Sequence, residues 1–293
     1  MNSTALSQKS GQAPARLCLA GKNQLKLQAD SLGEANAPTV LLLHGGGQTR
    51  QSWQHTAEHL AKQGYRAISI DLRGHGESEW ASDGDYLFES MLDDIEACCE
   101  QIPGPAVLVG ASIGGALSLL LAARRPELCR ALVLVDVSPT IEIAGAQGIV
   151  DFMRAHPEGF ASLDDAEISI AKQNPSRQRQ ASQSGLSRVL RQRPDGRWIW
   201  HWDPNFISGD WQDKVLELSN LMQAAAPKIK QPCLLIRGQL STIVSIESVD
   251  ELKRDIPHLN FVDIAGAGHM VAGDRNDMAS RALIDFLKEH PSK

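Results

Sequence analysis

The sequence predicts an α/β fold, a mostly parallel sheet flanked by helices and interrupted once by an insertion. Three observations carry this prediction. Short, continuously apolar runs such as Thr39-Val-Leu-Leu-Leu-His44 read as strands buried on both faces. These runs alternate with helical stretches, and repeated β-α-β units require parallel pairing with right-handed crossovers. The alternation lapses between about residues 139 and 227 and then resumes.

Residues 1–14 are polar and small and predict a flexible N-terminus. Leu17-Cys-Leu and Leu25-Lys-Leu-Gln-Ala alternate around Gly21-Lys22-Asn23, a hairpin signal. Ala37-Pro38 breaks the chain before the strand at 39–44. A helix over 50–62 stops at Gly64, a fitting C′ residue. A strand over 66–72 follows, then a helix over 85–101 between the Asp83-Gly84 turn and Pro103. The strand at 106–109 leads through Gly110-Ala-Ser112-Ile-Gly114 into a helix over 113–125. A strand over 131–137 closes the first half. Past the insertion come strand 232–237, helix 245–255, strand 260–264 and a helix from about 274 to 288, eight strands in all. The core thus spans 15–138 and 228–293. An insertion at 139–227, over the C-terminal ends of the strands, would form a lid or cap.

A chain of 293 residues is long enough for a sizeable core. The net charge of −6 excludes nucleic acid and anionic membranes as expected partners. Residues 1–16 hold no apolar signal core, and the apolar run at 113–123 is too short to cross a bilayer. Five cysteines, an odd number without metal-ligand spacing, predict buried free thiols in a reducing, cytoplasmic compartment. The arginines at 177, 179, 188, 191, 193 and 197 predict a solvated face, with attraction of an acidic substrate as the alternative. A small-molecule substrate is the expected partner, with no cofactor and no metal.

The chemistry centres on Ser112. The spacing Gly110-x-Ser112-x-Gly114 lets the backbone bend sharply and present the hydroxyl above the sheet end. The helix that follows points its positive end at that oxygen. A serine needs a base and a group that orients the base. Of nine histidines, His269 stands out, because it follows the last strand among glycines at the edge where Ser112 lies. His44-Gly45-Gly46-Gly47 ends the first long buried strand. Backbone N–H groups there can approach an oxyanion closely, with Gly46 the expected donor and Ile113, directly after the serine, the second.

With these residues in hand, the chain resembles the α/β-hydrolase superfamily, in its lidded esterase or haloperoxidase-like branch. The resemblance rests on His44-Gly-Gly-Gly47-Gln-Thr-Arg50, Asp71-Leu-Arg-Gly-His75-Gly, Gly110-Ala-Ser112-Ile-Gly114 and Gly266-Ala-Gly-His269, and runs from about residue 15 to 290. It implies an eight-stranded α/β-hydrolase sheet and reads the turn at His75 as structural. By the same resemblance the catalytic acid is expected at the position of Thr242, which carries no charge. Some members place it one strand earlier, at Asp136 in this sequence, where His269 would be the partner that makes a buried carboxylate tolerable. The alternative is that Asp136 binds loop amides. Glu247 and Asp250 lie in the first turns of a helix, where acids suit the dipole.

In the insertion, Trp198, Trp200 and Trp202 fall on one side of an extended segment after the Pro194-Asp-Gly turn. They would either wall an apolar substrate pocket or anchor the lid to the body. The leading expectation is a serine hydrolase of small esters working through an acyl-enzyme. A C–C bond hydrolase or a cofactor-free perhydrolase would use the same residues. A non-catalytic binding protein with an eroded triad is the alternative from another class, supported by Thr242.

Overall fold

The computed structural model describes residues 13–173, 186, 189–269 and 276–291. Residues 1–12, the arginines at 177, 179 and 188, and residues 270–275 lie outside that range. An eight-stranded sheet runs in the order β1-β2-β4-β3-β5-β6-β9-β10. Its first two strands, β1 (Ala15–Ala20) and β2 (Lys26–Leu32), form the expected antiparallel hairpin, and β2 pairs antiparallel with β4 (Arg66–Ile70). All other neighbours are parallel: β3 (Thr39–Leu43), β5 (Ala106–Ala111), β6 (Cys129–Val135), β9 (Cys233–Gly238) and β10 (Leu259–Ile264). A separate two-stranded antiparallel ribbon joins β7 (Leu190–Gln192) to β8 (Trp198–Trp200).

The continuous apolar runs arise because both sheet faces are covered. Leu41, Leu43, Leu108, Leu132, Leu134 and Leu235 fill one face, while Val40, Leu42, Val107, Val109, Val133 and Ile236 fill the other. On the second face lie α1 (Gln54–Lys62) and the last helix, α8 (Asn276–Glu289). On the first lie α2 (Phe88–Glu100), α3 (Ile113–Arg124) and α7 (Ile246–Asp255). α3 is apolar around its whole circumference because sheet and helices enclose it.

The segment between β6 and β9 carries α4 (Ile143–Arg154), α5 (Leu163–Gln173), the ribbon and α6 (Trp211–Ala225). Met153, Phe160, Ile170, Trp200 and Trp202 form a small core of its own. α6 differs, since its Trp211, Leu218, Met222 and Ala225 join the main core. Asp210 caps α6 by accepting from Gln212 and Asp213 N–H.

Parallel strands with crossovers leave their C-terminal ends at one edge. The chain leaves β3 toward β4 on one side and returns to β5 on the other, so a crevice opens between the ends of β3 and β5. The residues of chemical interest follow β3, β5, β6, β9 and β10 at that edge. Among the described residues no helix is long and apolar enough to cross a membrane. All five cysteines are unpaired, four are buried and Cys18 is exposed, in contrast to the expectation that all are buried. Burial pushes the Cys99 and Cys233 thiols up to about 12, which makes them poor nucleophiles.

Candidate active site

Ser112 stands between β5 and α3 with φ 48° and ψ −121°. That conformation costs a non-glycine residue on the order of 1–3 kcal/mol and persists only where neighbours hold it. Here Ser112 N–H donates to Val135 O at 3.1 Å, and Ser112 O accepts from Ala116 N–H at 2.9 Å. The flanking glycines are required by close approach of strand and helix. A Cβ on Gly110 would lie 2.2 Å from Gly114 O, and one on Gly114 would lie 2.5 Å from Leu43 O. Ser112 is the N-cap of α3, so the helix presents its positive end there.

The bond from Ser112 N–H to Val135 O sets the serine turn beside the end of β6, where Asp136 follows. Asp136 is 1% exposed and has φ 50°. Its Oδ1 accepts from Gly238 N–H at 2.9 Å, and its Oδ2 accepts from Ser241 Oγ at 2.6 Å. The same Oδ2 lies 2.6 Å from His269 Nδ1. A carboxylate only accepts, so Nδ1 carries the imidazole proton and Nε2 is left with its lone pair. The structure therefore joins Asp136 and His269 directly, and the buried carboxylate has a donor at every oxygen. Thr242 is exposed, and its carbonyl lies against Gly145 of α4. Glu247 lies in the first turn of α7, which Ser245 caps, and Asp250 lies on its exposed side. Ser241 was not singled out from the sequence. Its only signal is a hydroxyl beside Thr242 in the loop where an acid was expected.

The glycine loop after β3 sits against the serine, since a Cβ on Gly45 would lie 3.3 Å from Ser112 Cβ. Gly45 N–H donates to Gln48 Oε1 at 3.0 Å, and Gly47 N–H donates to His75 Nε2 at 3.2 Å. Among the described residues the N–H groups of Gly46 and Ile113 meet no acceptor, so both remain available.

The insertion reaches this loop through Trp202 and through Met153 and Phe206, two side chains not singled out from the sequence. A Cβ on Gly46 would lie 3.6 Å from Phe206 Cε1 and 3.8 Å from Met153 Sδ. One on Gly47 would lie 3.3 Å from Trp202 Cζ3. Trp200 stacks behind Trp202, at 4.6 Å between rings, and packs on Phe152 and Phe160. Trp198 packs into the same cluster. Of the three indoles, Trp202 thus meets the glycine loop, while Trp198 and Trp200 serve the insertion's own core. Asp203 N–H donates to Gly74 O at 2.8 Å, and Tyr86 OH donates to Asp203 Oδ2 at 2.6 Å, tying this segment to the loop after β4. Among the described residues no cluster of His, Cys, Asp and Glu is placed to hold a metal ion.

A serine on a strained strand-to-helix turn, a carboxylate-bound imidazole and free N–H groups at the same sheet edge define a class of protein. The chain belongs to the alpha/beta hydrolase fold family, whose model matches residues 38–275. Among its relatives is esterase Rv0045c of Mycobacterium tuberculosis, 32% identical over 267 residues, 86% of this chain and 82% of the relative. A solved structure of that esterase, 26% identical when superposed, matches with a TM-score of 0.76 over 95% of this chain and 93% of the other. The mouse sn-1-specific diacylglycerol lipase ABHD11 is 27% identical over 87% of this chain and 82% of the relative.

Proposed function

We propose that this protein is a serine hydrolase that cleaves small carboxylic esters through an acyl-enzyme, with Ser112, His269 and Asp136 as its catalytic triad. The observation that carries the reading is the 2.6 Å bond from His269 Nδ1 to the buried carboxylate of Asp136. Ser112 Oγ attacks the ester carbonyl as His269 Nε2 takes its proton. Asp136 holds the imidazole in the Nδ1–H tautomer and stabilises the imidazolium that forms. The N–H groups of Gly46 and Ile113 receive the negative charge on the carbonyl oxygen. His269 then protonates the departing alkoxide. A water, deprotonated by the same imidazole, cleaves the acyl-enzyme by the reverse sequence.

Residues 139–227 act as a cap in this reading, and Met153, Trp202 and Phe206 form an apolar wall above the glycine loop. Their closeness to Gly46 and Gly47 favours a small acyl group. The partner is a small molecule rather than a nucleic acid, in keeping with the acidic net charge. The unpaired cysteines suit a reducing, cytoplasmic setting.

A fluorophosphonate probe tests the assignment. The wild-type protein is expected to be labelled on the peptide containing Ser112, and Ser112→Ala to lose both labelling and p-nitrophenyl acetate hydrolysis. An inert Ser112, or hydrolysis that survives its replacement, would overturn the reading and leave a binding protein on a hydrolase scaffold.

A further inference from the structure

We propose that His44 and His75 are positioning residues that together aim the Gly46 N–H at the oxyanion. This rests on the serine-hydrolase reading above. Neither imidazole is accessible to solvent. Burial lowers His44 to about 4 and His75 to about 3, so each ring is neutral and offers one donor and one acceptor. Backbone groups decide which nitrogen does which. His44 Nε2 lies 3.0 Å from Leu72 N–H and accepts from it, so the proton sits on Nδ1 and is donated to Gly45 O at 2.8 Å. His75 Nε2 accepts from Gly47 N–H at 3.2 Å, so its Nδ1–H is donated to Arg73 O at 3.0 Å.

These two bonds grip the peptides on either side of Gly46. In a planar trans peptide the carbonyl oxygen and the amide hydrogen point in opposite directions. The carbonyl of the Gly45–Gly46 peptide is held by His44 Nδ1–H and by Gln48 N–H at 3.1 Å. Fixing that oxygen fixes where the Gly46 N–H points. The next peptide, Gly46–Gly47, is held through its N–H by His75. Gly46 has no side chain to restrain it, and three consecutive glycines would otherwise sample many orientations. An oxyanion donor is effective only when it is already aimed before charge develops. The two rings, 5.2 Å apart between centroids, supply that aim from within the core, without contacting substrate.

The test compares an aryl acetate with the matching thionoester, in which sulfur replaces the carbonyl oxygen and accepts hydrogen bonds poorly. His44→Ala and His75→Ala are each expected to lower kcat/KM for the oxygen ester by about 10- to 100-fold, and for the thionoester by under about threefold. The oxygen-to-sulfur ratio then collapses, whereas loss of folded protein lowers both rates equally and leaves it unchanged. His75→Gln, whose amide oxygen can accept the Gly47 N–H, is expected to recover most of the ratio. A ratio unchanged in both alanine variants, in a protein whose wild type depends on Ser112, would overturn this proposal alone. Activity that persists in Ser112→Ala would instead sink the hydrolase reading and this proposal with it. Should the alanine variants not fold, imidazole nitrogen NMR of the wild type decides. Both rings are expected as Nδ1–H tautomers, and an Nε2–H tautomer at either would overturn the proposal.

Discussion

Asp136 Oδ2 and His269 Nδ1 lie 2.6 Å apart although 133 positions separate them in the chain. The parallel sheet makes this possible, because β6, β9 and β10 are neighbours and end at one edge. The end of β9 and the loop that carries Thr242 also bond this carboxylate, through Gly238 N–H and Ser241 Oγ respectively. The carboxylate that meets His269 is thus delivered from the end of β6 instead of β9. Thr242→Asp is accordingly expected to leave kcat within about twofold of wild type, since an exposed charge there is screened by solvent. Steady-state hydrolysis of an aryl ester checks this.

Ser241 serves two ends at once. Its hydroxyl donates to Asp136, and its oxygen accepts from the N–H groups of Ile243 and Val244 at 3.2 and 3.1 Å. Ser241→Ala leaves the buried carboxylate one donor short and loosens the loop. The expected outcome is a loss of roughly 1–3 kcal/mol in stability, read by urea unfolding. kcat is expected to fall by a factor well short of that for losing Asp136 itself.

The loop after β3 is anchored by an ion pair beneath it. Arg50 is 3% exposed and Asp71 fully buried; Asp71 accepts from Arg50 N–H at 2.6 Å and Glu77 N–H at 2.9 Å, and pairs with the Arg50 guanidinium. Arg50→Met would strand a carboxylate in the core. Breaking such a pair from one side costs about 3–5 kcal/mol, so a strongly lowered unfolding midpoint is expected. An unchanged midpoint would show that water reaches Asp71.

Acid should unfold the protein partly through its buried histidines. The folded values of about 4 for His44 and 3 for His75 lie below the ordinary 6.5. Between those limits the unfolded chain binds protons that the folded one refuses, so stability falls as pH drops from about 6.5 toward 4. Each such group contributes a slope of roughly 1.4 kcal/mol per pH unit. Chemical denaturation across this range should show the slope, and His75→Gln should make it shallower.

Much of the fold was legible because a doubly covered parallel sheet writes itself as uninterrupted apolar runs such as residues 39–43 and 131–135. Ser112 was legible because its strained turn demands glycines at fixed spacing. Asp136 stood out as a charge ending an apolar strand. The rest depends on contacts that no local pattern encodes. His75 meets Gly47 across 28 residues, and Ser241 meets Asp136 across 105. The alternation of Trp198, Trp200 and Trp202 was visible, but not which of them meets the glycine loop. Met153 lies on an ordinary amphipathic helix, and Phe206 in a short turn after Pro204. Only the folded insertion brings them to Gly46.

The most direct test is the turnover of Asp136→Asn, which keeps the shape of the side chain and removes the charge that orients His269. If the imidazole is the base for Ser112 and Asp136 sets its tautomer, kcat for an aryl ester falls by about 10⁴-fold while the variant unfolds cooperatively. A folded Asp136→Asn protein with turnover within tenfold of wild type would contradict the account.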